Sequence, residues 1–319
     1  MVNPAKTFRQ PITTLVTTSV VRGSHQGESH GGVYLLDLEN QFVRQTIDWN
    51  TIDIDWDGRG ADRGLRGIEF DGEKVFIAAS NELFAYSSTF EKIGSWRNPF
   101  LKHCHEIFVW ERMLYLTSTG FDTILGFDLD QLRFTWAMHI TKRDYRFSGL
   151  IFNPEENEGP LMINKLHVNN VHCSTHGMYI SGLRTEGLLH FNGNEIRMAV
   201  ELPQGTHNAQ PFRDGVLFND TAADVLRYTG RGEGQEDRAM QVPKIAPSQL
   251  QNLHLVDSGV VRPNFARGLC VLSDRLVAGG SSPSTVTIYD LAANQTLGSV
   301  SISADVRNAI HGLEAWPFS

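Results

Sequence analysis

The sequence predicts an all-β fold: a single six-bladed β-propeller over residues 1–319, closed by N- and C-terminal strands that share blade 1. The first observation behind this is a repeat. Six short segments superpose on their leading residues: Arg66-Gly67-Ile68-Glu69-Phe70, His105-Glu106-Ile107-Phe108-Val109, Asn169-Asn170-Val171-His172, His207-Asn208-Ala209-Gln210, Arg267-Gly268-Leu269-Cys270 and His311-Gly312-Leu313-Glu314. The second is an apolar partner for each segment. Five segments lead, at a near-constant offset, into apolar runs: Val75-Phe76-Ile77-Ala78, Leu114-Tyr115-Leu116-Thr117, Met178-Tyr179-Ile180-Ser181, Val216-Leu217-Phe218-Asn219 and Leu276-Val277-Ala278-Gly279. The third is that the sixth segment stands at the C-terminus while its apolar partner, Thr14-Leu15-Val16-Thr17, stands at the N-terminus. Pairing the two ends removes the open edges that an unclosed sheet would leave.

Short β-branched and aromatic runs alternate with Gly, Asn, Asp and Ser turns, and helical periodicity is scarce. Blade 1 takes Val33-Tyr34-Leu35-Leu36-Asp37 as its third strand and residues 42–47 as its fourth. Blade 2 spans residues 66–96. Blade 3 spans 105–138, with Ile124-Leu125-Gly126-Phe127-Asp128 as third strand. Blade 4 spans 169–201, with Gly187-Leu188-Leu189-His190-Phe191. Blade 5 spans 207–242, with Asp224-Val225-Leu226-Arg227-Tyr228. Blade 6 spans 267–302, with Thr285-Val286-Thr287-Ile288-Tyr289. Two connections, residues 141–163 and 243–264, exceed what a blade-to-blade loop requires, and loops of that length often wall a site.

Bulk properties narrow the function classes. At 41% hydrophobic and 20% charged the chain can bury a large core, and 29 glycines suit many tight turns. A net charge of −8 argues against a nucleic-acid partner, which would call for a basic face. No stretch reaches the roughly 18–20 apolar residues of a membrane helix. Residues 1–10 lack the apolar core of a signal peptide. Cys104, Cys173 and Cys270 are too few for a disulfide framework and read as small buried apolar residues. A cytoplasmic protein is expected.

In a propeller the six leading residues would ring a central channel in the order His311, Arg66, His105, Asn169, His207, Arg267. The loops between second and third strands would meet that mouth. They carry His25, Glu28, His30, Asn81, Glu82, Asp122, Arg184, Glu186, Asp220, Thr221, Ser281 and Ser282. Histidine occupies every second ring position. Three imidazoles suit a divalent transition metal (Fe, Mn, Zn or Cu) and leave coordination positions open, so His105, His207 and His311 are the candidate metal ligands. Arg66 and Arg267 flank His311 and could hold an anion in bidentate fashion, with Asn169 as a hydrogen-bonding group. His103 and His167 each precede a ring position by two residues. On a strand that spacing keeps them on the ring's face, as acid–base groups or extra ligands. The charged run Arg59-Gly60-Ala61-Asp62-Arg63-Gly64 leads to the same mouth and adds Arg63 to the candidate substrate contacts. Asp53, Asp55 and Asp57 form the first half of a calcium-loop pattern, with Gly64 where the bidentate glutamate should be.

The repeat and its polar channel resemble the six-bladed propellers of the gluconolactonase and NHL-like group, some of which hold a divalent metal. That resemblance implies a channel site, although the ligands there are mainly carboxylate and Asn rather than His. A His ring is similar to the sites of carotenoid oxygenases and oligogalacturonate lyases, which have seven blades. Leu101-Lys102-His103-Cys104-His105-Glu106-Ile107 and Ser118-Thr119-Gly120-Phe121-Asp122 are similar to segments of uncharacterised bacterial propeller-like proteins. The expected function is a metal-dependent enzyme (lyase, oxygenase or hydrolase) acting on a small anionic molecule. The alternative is a non-catalytic propeller that binds an anionic ligand or a protein partner.

Overall fold

A computed structural model describes residues 14–52, 64–156, 158–231, 237–256 and 262–318. Six antiparallel sheets make a six-bladed β-propeller. Blade 1 orders β25 (Asn308–Ala315), β1 (Thr14–Val21), β2 (Gly31–Asp37) and β3 (Phe42–Asp48). Blade 2 is β4 (Ile68–Asp71), β5 (Lys74–Ala78), β6 (Glu82–Ser87) and β7 (Lys92–Arg97). Blade 3 is β8 (Ile107–Trp110), β9 (Met113–Ser118), β10 (Thr123–Asp128), β11 (Arg133–Arg143) and β12 (Arg146–Phe152). Blade 4 is β13 (Val168–Ser174), β14 (Gly177–Gly182), β15 (Gly187–Phe191) and β16 (Ile196–Glu201). Blade 5 is β17 (Thr206–Phe212), β18 (Gly215–Asp220), β19 (Val225–Gly230) and β20 (Asp237–Gln241). Blade 6 is β21 (Ala266–Val271), β22 (Leu276–Ser281), β23 (Thr285–Asp290) and β24 (Gln295–Ser301). Among the described residues no helix is long and apolar enough to cross a membrane.

The expected seam in blade 1 is present. Leu15 faces Ala315 and Thr17 faces Leu313 across β1 and β25, with a bulge between Thr17 and Ser19. Blade 3 departs from the expectation. Residues 141–152 are not a loop: β11 runs on to Arg143, turns, and β12 returns as a fifth strand in register from Arg143↔Arg146 to Ala137↔Phe152. Its side chains Leu150 and Ile151 are both exposed, so no alternation of polar and apolar residues marked it as a strand.

The hairpin after the third strand is built the same way in several blades. Asp37, Asp128 and Asp290 each accept, through Oδ1, the amides two and three residues on, and Asn192 does the same. An acceptor on a short side chain is what such a turn needs. The chain divides into two compact units, residues 67–211 and residues 5–66 with 212–319. In the first, Phe76, Leu116, Leu125 and Phe127 centre one buried cluster, and Val168, Ile180 and Leu189 another. In the second, Leu15, Leu36, Ile310 and Leu313 pack beneath the β1–β25 seam.

A polar residue on the second strand of a blade, or in the turn just after it, latches onto the backbone at the start of the next blade's inner segment. Thr18 Oγ1 donates to the Arg66 carbonyl at 2.6 Å, Thr119 Oγ1 to Val168 at 2.5 Å, and Asn219 Nδ2 to Gly268 at 3.1 Å. Leading segments also approach one another closely. A Cβ on Gly67 would lie 2.7 Å from the Ile107 nitrogen, and one on Gly268, whose φ is +82°, would lie 2.7 Å from the His311 carbonyl oxygen. Glycine after Arg66 and after Arg267 is therefore a packing requirement.

Candidate functional site

Three consecutive members of the expected ring, Arg267, His311 and Arg66, belong to the unit of residues 5–66 and 212–319. Arg66 is buried, and its backbone is fixed by Thr18. Arg267 lies just inside the start of β21, and its Nη1 lies 3.1 Å from His311 Nε2. A guanidinium only donates, so His311 Nε2 accepts and its lone pair is engaged. Two further arginines join them. Arg22 directly follows β1, is 6% exposed, and places its guanidinium carbon 4.3 Å from the centre of the Phe265 ring. Arg262 and Arg267 stand over the same ring at 5.6 and 5.7 Å. Arg262 also pairs with Asp224 at 2.8 Å and donates to the Thr221 carbonyl.

Burial, and then the like charges of Arg267, Arg66 and Arg262, push Arg22 well below the usual guanidinium range. The neighbouring guanidiniums add to burial in disfavouring the charged form of Arg22. The Phe265 ring face offsets part of the desolvation by cation–π attraction, worth about 0.5–2 kcal/mol per contact. Clustered guanidiniums, each a planar fork of N–H donors, are suited to an anion.

The other three ring members, His105, Asn169 and His207, belong to residues 67–211. His105 Nδ1 lies 2.8 Å from the His103 carbonyl and 2.8 Å from Thr119 Oγ1, whose own proton goes to Val168. His207 Nδ1 faces the Gly205 carbonyl at 3.2 Å, and His167 Nδ1 faces Asn164 Oδ1 at 3.1 Å. Each partner is an acceptor, so all three rings donate from Nδ1. The His105 ring centre lies 5.3 Å from that of His167 and 6.4 Å from that of His207. Asn169 is buried; its Nδ2 donates to the Thr206 carbonyl, and its Oδ1 has no hydrogen-bond partner. Among the described residues no group of three or more His, Cys, Asp or Glu side chains is placed to hold a metal ion.

Strand alternation does not align His103 and His167 with the ring. Both precede their strands in the left-handed region, with φ of 56° and 55°, so the period-two rule of a strand does not apply. His167 still reaches His105, because Asp122 accepts the Leu166 and Val168 amides at 2.8 and 3.2 Å and so fixes the backbone on both sides of it. His103 instead meets Ser80, its Nδ1 3.4 Å from the hydroxyl. Several of the expected mouth residues serve local bonds: Glu82 with Arg97, Glu186 with Lys142, Arg184 with the Lys165 carbonyl, and His30 with Ser24. Arg63 and the aspartates Asp53, Asp55 and Asp57 lie outside the described residues.

Sequence reading missed Arg22, Arg262 and Phe265. A signal existed for two of them: Arg262 lies near the end of, and Phe265 follows, the long connection expected to wall a site. Arg22 stood beside His25 in a loop already expected at the mouth, but no repeat partner pointed to it. The three cysteines are buried thiols, as expected.

No protein-family model matches this chain, and no curated protein matches it. Solved structures do. A chain from a nidogen/laminin complex is similar over 94% of this chain and 97% of its own, with a TM-score of 0.57 and 11% identity. Apo AztD from Citrobacter koseri covers 94% of this chain and 97% of its own at a TM-score of 0.45 and 9% identity. A computationally designed protein, Ika8, covers 92% and 96% at 0.48 and 10%. At such identities the first of these likenesses speaks for the propeller fold alone.

Proposed function

We propose that this propeller binds a small anionic molecule through Arg22, Arg66, Arg262 and Arg267. The observation that carries the reading is the gathering of three of these guanidiniums over the single ring of Phe265, where burial and then the like charges depress Arg22. Burying like charges together is costly, and an anion with several acceptor oxygens offsets that cost through charge-assisted bonds. His311, hydrogen-bonded to Arg267, orients that guanidinium.

Melting of the purified protein in phosphate, sulfate and mono-, di- and tricarboxylates, each against chloride at equal ionic strength, tests this. A ligand at a hundred times its Kd stabilises by about 2.7 kcal/mol, a shift of several degrees. At least one anion should give it, and Arg267→Gln should weaken the response about tenfold or more, the worth of a charged hydrogen bond. A flat response across the panel, or an unchanged one in the variant, overturns the reading.

A metal-dependent reaction on the bound anion is a second reading. It is supported by the donation of Nδ1–H to an oxygen acceptor in His105, His167 and His207, the kind of bond that orients metal-ligating histidines. Stoichiometric Fe, Mn, Zn or Cu retained by protein purified without chelator supports it; metal-free protein counts against it.

A further inference from the structure

We propose that the groove between the turns of blades 3 and 4 is a binding site for a neutral oligosaccharide. The groove has a volume of about 720 Å³, within the usual range for small-molecule sites. Trp110 at the end of β8, Glu111 in the β8–β9 turn, Tyr115 on β9, Trp136 on β11, His176 from the β13–β14 turn and Asn192 from the β15–β16 turn line it. All of these lie within residues 67–211, whereas the clustered arginines belong to the other unit.

Two features of the lining select the ligand. The aromatic faces come first. Tyr115 and Trp136 meet edge-to-face, with ring centres 5.8 Å apart at 86°, and both are half-buried, as is Trp110. Perpendicular aromatic walls give flat apolar surface to the C–H face of a pyranose. The second feature is the polar tips. Among the described residues, the Tyr115 hydroxyl, the Trp110 and Trp136 indole N–H groups and the Glu111 carboxylate make no hydrogen bond. Burial, with the charges of Cys173 and Glu111, pushes the Tyr115 hydroxyl up to about 12, so it remains a donor at neutral pH.

A rim of three donors beside a carboxylate acceptor needs a ligand that both donates and accepts. Sugar hydroxyls do both. An organic cation would satisfy Glu111 and the ring faces but would offer the indole and phenol donors nothing to bond. An anion is disfavoured because neither Lys nor Arg lines the groove and Glu111 does.

Calorimetric titration of the full chain with maltotriose, cellotriose, xylotriose and triacetylchitotriose tests the proposal. At least one should bind with a Kd in the micromolar to millimolar range. Glu111→Gln and Tyr115→Phe should each weaken it about three- to tenfold, the worth of one hydrogen bond, and Arg267→Gln should leave it unchanged. Trp110→Ala should abolish binding; if that variant does not fold, the two conservative changes decide the matter. Absence of binding by all four sugars, indifference of the affinity to both conservative variants, or binding of choline in place of sugar overturns the proposal.

Discussion

Asp290 ends β23 with both carboxylate oxygens engaged. Oδ1 accepts the Ala292 and Ala293 amides at 3.0 Å, and Oδ2 takes Arg275 Nε at 2.8 Å and Nη2 at 2.5 Å. The Arg275 bond, then the Ala293 amide, hold its carboxyl down at about 2. The ordinary value in an unfolded chain is about 3.9, so folding favours the charged form. That stabilisation is full above the unfolded value and is lost as pH falls from about 4 through 2. Wild type should therefore melt above Asp290→Asn at neutral pH, with the gap narrowing below pH 4 and closing towards 2; a gap that stays constant would assign the role to geometry alone. Gly268 makes a second case at this scale. A left-handed φ costs a non-glycine residue about 1–2 kcal/mol. The added Cβ would also press the His311 carbonyl oxygen at 2.7 Å. Gly268→Ala should lower the melting temperature by several degrees and weaken the anion response, because Arg267 must move with it. An unchanged melting curve would mean that the inner segments have room to part. The Arg-Gly pair was legible in the sequence as a repeat; the reason for its glycine was not, since it lies in a neighbour more than forty positions away.

At the scale of elements, the β1–β25 seam joins the two chain ends through paired strands and through buried apolar side chains. Ile310 and Leu15 are fully buried there, and Leu313 nearly so. Ile310→Ala should cost about 2–5 kcal/mol, the range for deleting buried aliphatic groups. Deletion from residue 310 onward should leave β1 with an open edge and give aggregated protein, because an unpaired strand edge templates pairing with other chains. A soluble truncation that melts like the full chain would contradict the seam. This element was legible because both its halves carried the repeat. Strand β12 was not. Its residues Leu150 and Ile151 are apolar yet exposed, and among the described residues it has no counterpart in the other five blades, so neither periodicity nor repeat could reveal it. The same limit applies to His103 and His167. Their spacing was read as strand geometry, while both residues lie before their strands in the left-handed region, which a sequence pattern does not record.

Over the whole molecule, the repeat gave blade number, strand order and closure, because propeller geometry repeats with the sequence. It gave the site less fully. Arg66, Arg267 and His311 were found as repeat positions, and so were His105, Asn169 and His207, but Arg22 and Arg262 belong to connections that differ from blade to blade. The proposed anion site leans on those two arginines, which join Arg267 over the Phe265 ring. Arg22 gives the sharpest test of whether that cluster serves a ligand or the fold. A buried charge pressed by like charges is expensive, and replacing such groups with apolar residues of similar volume is often neutral or stabilising by about 1–4 kcal/mol. If Arg22 is kept for a ligand, Arg22→Met should melt at the wild-type temperature or above it without anion, and should lose the rise that the anion produces. Function and stability would then oppose each other at one residue, as binding sites commonly show. If instead Arg22 is part of a structural network, the variant should melt several degrees lower and keep its anion response. Melting curves of the two proteins with and without the responding anion separate these outcomes, because the two readings predict opposite signs for the unliganded shift.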